Sequence, residues 1–276
     1  MRLVVLALIA FLLPVTAKAQ LYPFREHLRL LDTGRLALGG DSAVFFGKVG
    51  DEQRALVQPT VLAGFRVWEL VLTGALPMAY YHSAGGADGS LTKLALGNPW
   101  GEAAYLPDCA CGLSRLSIGA GLPAATSSTI GAQALGVARG AHGNWDGYLY
   151  LPDFLPVVFG ASTRMERGRL LFLWDGDVVV GMPGSGRQLE LATQHAGEAD
   201  LRFGWDMSLG GRISATYYPT LPGDKFQSAV SAFFRYAWVD NTLLVRMVMN
   251  LDGPAGPAFG QRGMWGAGLH YVRSFL

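Results

Sequence analysis

From Leu189 to Met207 the chain alternates with period two. The odd row holds Leu189, Leu191, Thr193, His195, Ala199, Leu201, Phe203, Trp205 and Met207; the even row holds Glu190, Gln194, Glu198, Asp200, Arg202 and Asp206. Side chains alternate across a strand, so the pattern describes a ribbon with one apolar face and one charged face. A helix would mix these rows and would take Gly197 and Gly204 into its interior, at about 1 kcal/mol each. As a single ribbon the stretch exceeds the 9–11 residues that a tilted strand needs to cross a bilayer. Few folds accept such a strand.

The same alternation recurs. Leu36 to Gly47 is the weakest case, interrupted by Asp41; Val57–Val67 and Leu70–Tyr81 form a clear pair joined tightly through Trp68-Glu69. A Gly-, Ser- and Asp-rich loop is expected from His82 to Leu96. Further ribbons run over Asn98–Leu106, Leu113–Ala124, Val157–Met165, Leu170–Met182, the stretch from Leu189, then Arg212–Tyr218, Val230–Trp238, Leu243–Leu251 and Trp265–Phe275. Thr126 to Phe154 is the longest irregular segment, expected outside the barrel or folded into its mouth. About 12 ribbons joined by alternately short and long connections are the pattern of a transmembrane antiparallel up-and-down β-barrel, all-β, with short periplasmic turns and longer outer loops. Strand directions fixed by loop length then place Phe65, Tyr105, Phe172, Trp205, Trp238 and Phe275 at one membrane edge, and Tyr80, Tyr217 and Trp265 at the other. These are the two aromatic girdles of such a barrel.

Composition agrees. Charged residues make up 16% of the chain, against about 25% in soluble domains. The net charge of +1, with no basic cluster, excludes a nucleic-acid partner as an expectation. Residues 1–19 read as a signal peptide: Arg2, an apolar run from Leu3 to Leu13, and the small-x-small site Ala17-Lys18-Ala19. Residues 20–35 read as an N-terminal extension, and 36–276 as the barrel. The competing architecture, a secreted soluble β-sandwich, explains neither the girdles nor the uncharged outward row.

The last strand, Trp265-Gly266-Ala267-Gly268-Leu269-His270-Tyr271-Val272-Arg273-Ser274-Phe275-Leu276, resembles the terminal strand that bacterial outer-membrane β-barrels present to their assembly machinery. It departs in ending Phe275-Leu276 and in carrying Arg273 on the apolar row, where a basic residue near the interface can snorkel. Gly97-Asn98-Pro99-Trp100 and Leu251-Asp252-Gly253-Pro254 are similar to recurring pieces of transporter-like, porin-like outer-membrane barrels. The resemblance spans nearly the whole mature chain. It implies a bacterial outer-membrane location with lipid and the assembly machinery as partners, and carries over no catalytic residue.

The inward row holds the chemistry. Arg66, Arg115, Arg164, Arg169, Arg202, Arg212, Arg235 and Arg246 project into the lumen, as do Glu102, Asp175, Asp177, Glu190, Glu198, Asp200 and Asp206. In one reading these charges pair and pack the interior. In the other they line a wet channel in which arginine favours anionic solutes. By strand direction, Arg66, Arg115, Arg164, Arg169 and Arg212 sit toward the periplasmic end and Asp175, Asp177, Glu190 and Glu198 further out, with Asp206 an exception at the inner end. Cys109 and Cys111 flank Ala110 in an expected periplasmic turn and read as an incidental small bridge or a thiol pair, with too few partners for a metal. Gly181 to Gly186 reads as a turn, without the Lys of a phosphate loop. His270 and Ser274 share the inward row four apart, a poor basis for a Ser–His–acid hydrolase. No cofactor is expected. The functional expectation is a porin-like channel or transporter for small solutes, possible anion preference included; the alternatives are a closed structural or surface-binding barrel and, remotely, a membrane hydrolase.

Overall fold

The computed structural model describes residues 36–49, 52–86, 89–107, 113–125, 134, 137–138, 147–150, 152–183, 189–203, 206–220, 225–251 and 264–275. The expected signal peptide and extension, Trp205, Cys109 and Cys111 lie outside them. The strands are β1 (Leu36–Val49), β2 (Glu52–Val67), β3 (Leu70–Gly86), β4 (Gly89–Leu96), β5 (Trp100–Tyr105), β6 (Leu113–Gly121), β7 (Phe154–Arg167), β8 (Leu170–Pro183), β9 (Glu190–Phe203), β10 (Met207–Tyr217), β11 (Phe226–Trp238), β12 (Asn241–Asn250) and β13 (Met264–Phe275). All pairings are antiparallel between neighbours, and β1 pairs with both β2 and β13, which closes the ring. β4 and β5 both pair with β3, one above the other, so the strands make a closed barrel of 12 staves.

Alternation survives as wall geometry. Val61, Ile213 and Leu269 point outward and are more than half exposed, while Thr60, Leu62, Arg212, Gly268 and His270 beside them are buried inside. Phe65, Tyr105, Phe172 and Phe275 are exposed at the turn end, and Tyr80, Tyr217 and Trp265 at the loop end, as the girdles require. Trp238 is half-buried, stacked on Tyr236 at 5.1 Å.

Three expectations change. Asp41 does not interrupt β1, which runs unbroken for 14 residues; its carboxylate is buried in the lumen, where an ionic partner is available. The stretch from Leu189 to Met207 is not one ribbon: β9 ends at Phe203, and Met207, its Cα partner, opens β10. A three-residue connection preserves odd–even parity, so both strands keep their outward row on odd numbers and the turn leaves no mark in the pattern. Finally, His82 to Leu96 is no loop. β3 and β4 continue through it as a tall hairpin, with His82 Nδ1 and Thr92 Oγ1 2.9 Å apart.

The turn ends are tight. Val67 pairs with Leu70 and Trp238 with Asn241, leaving two-residue turns whose first members, Trp68 and Val239, hold φ of 53° and 50°. The right-handed strand twist selects this conformation, at a steric cost for a β-branched residue such as Val239.

Candidate functional site

At mid-height the inward row becomes an ionic belt. Arg212 on β10 stands opposite Glu198 on β9; its Nη1 lies 3.5 Å from Glu198 Oε2 and donates to Asp175 Oδ2 on β8 at 3.1 Å. Arg235 on β11 reaches past β10 to donate to Asp200 Oδ2 at 3.0 Å and Glu198 Oε1 at 3.3 Å. Arg115 on β6 pairs with Glu102 on β5. Arg246 on β12 crosses β13 to donate to Asp41 on β1 at 3.0 Å, and His270 Nδ1 lies 3.3 Å from the same carboxylate. None of these arginines is more than 5% exposed.

Glycine makes the long reaches possible. A Cβ on Gly268 would stand 2.7 Å from Arg246 Nε, so the arginine lies flat across β13 only because nothing projects there. On β10 the ring of Phe233 lies across Gly210, where a Cβ would also come within 2.7 Å of the Ala199 carbonyl, and the Arg235 guanidinium sits 5.3 Å from that ring's centroid. This cation–π contact adds to the ion pairs.

Of the expected lumen residues the belt gathers Arg115, Arg212, Arg235, Arg246, Glu102, Asp175, Glu198 and Asp200; Asp177 and Glu190 are buried on the same inward rows of β8 and β9, and the other five stand apart. Arg66, Arg164 and Arg202 are half-buried at the turn end of the lumen, the mouth expected to face the periplasm. There Arg164 and Arg202 share Glu166, the latter at 3.0 Å, and Arg66 Nε donates to the Trp68 carbonyl at 2.8 Å. Arg169 and Asp206 do not line the lumen. Both are exposed in turns, because β7 and β9 end before reaching them. Asp41 and His270 belong to the belt as well. Inward parity marks His270, whereas Asp41 could be found only once β1 was accepted as a strand. His270 faces Asp41, and Ser274 lies about 13 Å further along the strand, so they do not form a hydrolase pair.

Above the belt the interior is mixed, with apolar side chains beside the buried Gln58, Glu190, Gln194 and Asn250. Phe45, Leu56, Tyr81, Trp100, Phe154 and Tyr218 belong to one buried cluster, which also takes in Ala134, Ala138, Tyr148 and Leu149 from the segment between β6 and β7. That segment is therefore folded into the mouth where the structure describes it. Gln58 on β2 donates to the Ala138 carbonyl at 2.9 Å. Asn98, fully buried at the break between β4 and β5, is the main anchor. Its backbone N–H donates to the Leu149 carbonyl at 2.7 Å, its Nδ2 to the Tyr148 carbonyl at 3.1 Å, and its Oδ1 accepts from the Ala125 N–H at 3.0 Å. Nothing in the alternation singles out Asn98; its place between Gly97 and Pro99 in a broken strand was the available signal.

No family model and no curated protein matches the chain. Among solved structures, an outer membrane channel from Pseudomonas putida F1 superposes with a TM-score of 0.58 at 12% identity, covering 95% of this chain and 99% of that one. The chain has the fold of a bacterial outer-membrane β-barrel. The β domain of the Bordetella autotransporter BrkA shares it with a TM-score of 0.55 at 11% identity, over 87% of this chain and 100% of that one. At these identities the likeness is one of fold, and a channel and an autotransporter are both similar to this chain.

Proposed function

We propose that this barrel is an outer-membrane channel for small solutes, closed in the conformation described. The ionic belt carries the reading. Replacing buried ion pairs with apolar side chains of similar volume is often neutral or stabilising, so a barrel needing only to stay folded has little use for such a belt. Here four buried arginines are set across the middle of the lumen, two of them reaching beyond the adjacent strand. Charge at a constriction selects what passes once water enters.

The belt does not itself support a preference for anions. Among the described buried residues, seven carboxylates (Asp41, Glu102, Asp175, Asp177, Glu190, Glu198 and Asp200) face four arginines. Anion preference rests on the periplasmic mouth, through Arg66, Arg164 and Arg202. The dryness of the belt favours a second reading, a closed barrel without transport. Planar-bilayer conductance separates them: wild type should show rare openings, and Arg235→Ala with Arg246→Ala should open it more often. Silence from both proteins would establish the closed barrel. For an open channel, the reversal potential across a salt gradient, with and without Arg164→Ala and Arg202→Ala, tests the mouth; no shift would remove anion preference altogether. We assign β13 as the strand offered to the assembly machinery, on the strength of its alternating bulky residues and terminal Phe275.

A further inference from the structure

The outer wall is grooved on one side. Tyr105 on β5 pairs with Leu116 on β6, Leu116 with Ala161 on β7, Ala161 with Gly176 on β8, and Gly176 with His195 on β9. All of them belong to outward rows, so they form one line across neighbouring staves. The line begins at the turn-end girdle with Tyr105 and climbs, because the staves of a barrel are tilted. It reaches His195 two residues below Thr193, the partner of the loop-end girdle residue Tyr217. The small residues Ala161 and Gly176 hollow it out. Ile118, Phe159 and Val178 stand along its upper side and Trp174 along its lower side, bounding an open groove of about 690 Å³. Four interstrand steps of about 4.8 Å make the line roughly 19 Å long.

His195 is the unusual member. Its ring is exposed on the outer wall, stacked on Trp174 at a centroid distance of 5.7 Å, and makes no hydrogen bond to the described residues. On the described outward rows between the girdles, the one other basic side chain is Arg273, beside Phe275 at the turn end. Arg273 has a long stem with which to snorkel to water, and His195 does not. At a tilt of about 40°, two residues place His195 about 5 Å below the loop-end girdle, inside the apolar band. A polar group there is costly unless something meets it, and ionisable side chains at such depth mark functional contacts. Stacking satisfies the ring's face, not its N–H.

We infer that the groove holds one acyl chain of a diacyl lipid from the leaflet at the loop end, with the His195 N–H donating to an ester carbonyl of that lipid. Between the girdles the wall meets hydrocarbon, so the occupant comes from the membrane. It must be apolar for most of its length, since Leu116, Ile118, Phe159 and Val178 offer no hydrogen bond. It must also carry an acceptor at the end near His195. An ester-linked chain has that layout, with the ester at the boundary of headgroup and hydrocarbon and the chain below it. The line is longer than the depth of one hydrocarbon leaflet, about 15 Å, and its oblique climb lets a chain lie along it within that depth. The volume falls in the range of about 300–1,000 Å³ usual for small-molecule sites. A second copy of this chain would bring an outward row of mostly apolar side chains and leave His195 unmet. The assignment goes beyond the channel reading and holds whether or not the lumen conducts.

Photolabelling of the full chain in phosphatidylcholine vesicles tests the inference. The probe is a phosphatidylcholine carrying a diazirine midway along one acyl chain, and adducts are mapped by peptide mass spectrometry. The expected result is a several-fold excess of adducts at Leu116 and Val178 over Val245 and Leu269 on the far side of the barrel. Ala161→Phe fills the line and should bring the groove signal down to the far-side level. His195→Leu should lower it several-fold, and His195→Gln, which keeps an N–H donor, should retain most of it. Heat-modifiable gel mobility reports insertion of each variant; if Ala161→Phe does not insert, Ala103→Phe, one row higher in the same groove, makes the same comparison. Equal labelling of the two sides, or a groove signal that survives its filling, overturns the site. A signal unchanged in His195→Leu overturns the ester contact. Groove labelling below the far side, with a dimer on mild-detergent gels, gives the groove to a second copy and overturns the inference as well.

Discussion

Removing Arg235 asks whether the belt is dry. Its guanidinium is 1% exposed and bridges Asp200 at 3.0 Å and Glu198 at 3.3 Å. In Arg235→Ala, Glu198 keeps Arg212 at 3.5 Å, while Asp200 has no other basic partner among the described residues. Two charges about 4 Å apart attract by about 4 kcal/mol at an effective dielectric constant near 20, and breaking a buried pair from one side costs about 3–5 kcal/mol. A pair already in water is worth about 0–1 kcal/mol. The expected loss is therefore about 3 kcal/mol or more, measured by urea titration of vesicle-inserted protein with tryptophan fluorescence. Asp200→Asn in the Arg235→Ala background should recover part of it, because the stranded charge is then gone; the four-protein cycle should show a coupling of about 2 kcal/mol. A loss under about 1 kcal/mol with no coupling would mean that water already fills the belt, and the argument for a closed lumen would fail.

Outward positions should respond by depth. Ile213, central on β10 and 57% exposed, should lose about 2–4 kcal/mol of insertion stability as Ile213→Arg, whereas Leu201→Arg, two residues from the periplasmic end of β9, should lose about 0–1 kcal/mol; equal losses in the same folding titration would contradict the assigned membrane band. Gly268→Val should displace Arg246 from Asp41 and cost about 3 kcal/mol, and adding Arg246→Ala should cost little more, since both changes break one contact; additive losses would show that the arginine does not lie across β13. Val239→Asn should stabilise by about 1 kcal/mol by relieving a β-branched residue at φ 50°, and a lowered urea midpoint would contradict the assigned turn.

Parity explains what could be read before the structure. A two-residue turn exchanges the rows: the outward set is odd through Val67 and even from Leu70, and it changes again across Val239-Asp240. Those hairpins were visible. The connection from Phe203 to Met207 changes nothing, so two strands looked like one. Above the membrane neither face of a strand needs apolar residues, and the β3–β4 hairpin therefore carried only a loop-like composition. Arg115, Arg212, Arg235 and Arg246 could be assigned inward from their row alone. The partners Asp175, Asp200 and Asp41 of Arg212, Arg235 and Arg246 depend on which strands lie two apart around a ring and on where glycine opens a path, and neither is encoded in local alternation. The anchoring role of Asn98 was hidden for the same reason: its side-chain hydrogen bonds reach residues 27 and 50 positions away.

The Arg246–Asp41 bridge has a bearing on how the barrel is made. Its two residues are 205 positions apart, on strands β1 and β12, and the bridge spans β13, which closes the ring between them. Until β13 stands between β12 and β1, Asp41 and Arg246 each belong to an unfinished edge and must stay hydrated. Ring closure is therefore also the step at which this part of the interior dries, and the two events cannot be separated in time. A chain lacking β13 would not insert as a slightly weakened barrel: it would carry the two charges of a broken bridge toward hydrocarbon, and should stall at the membrane surface.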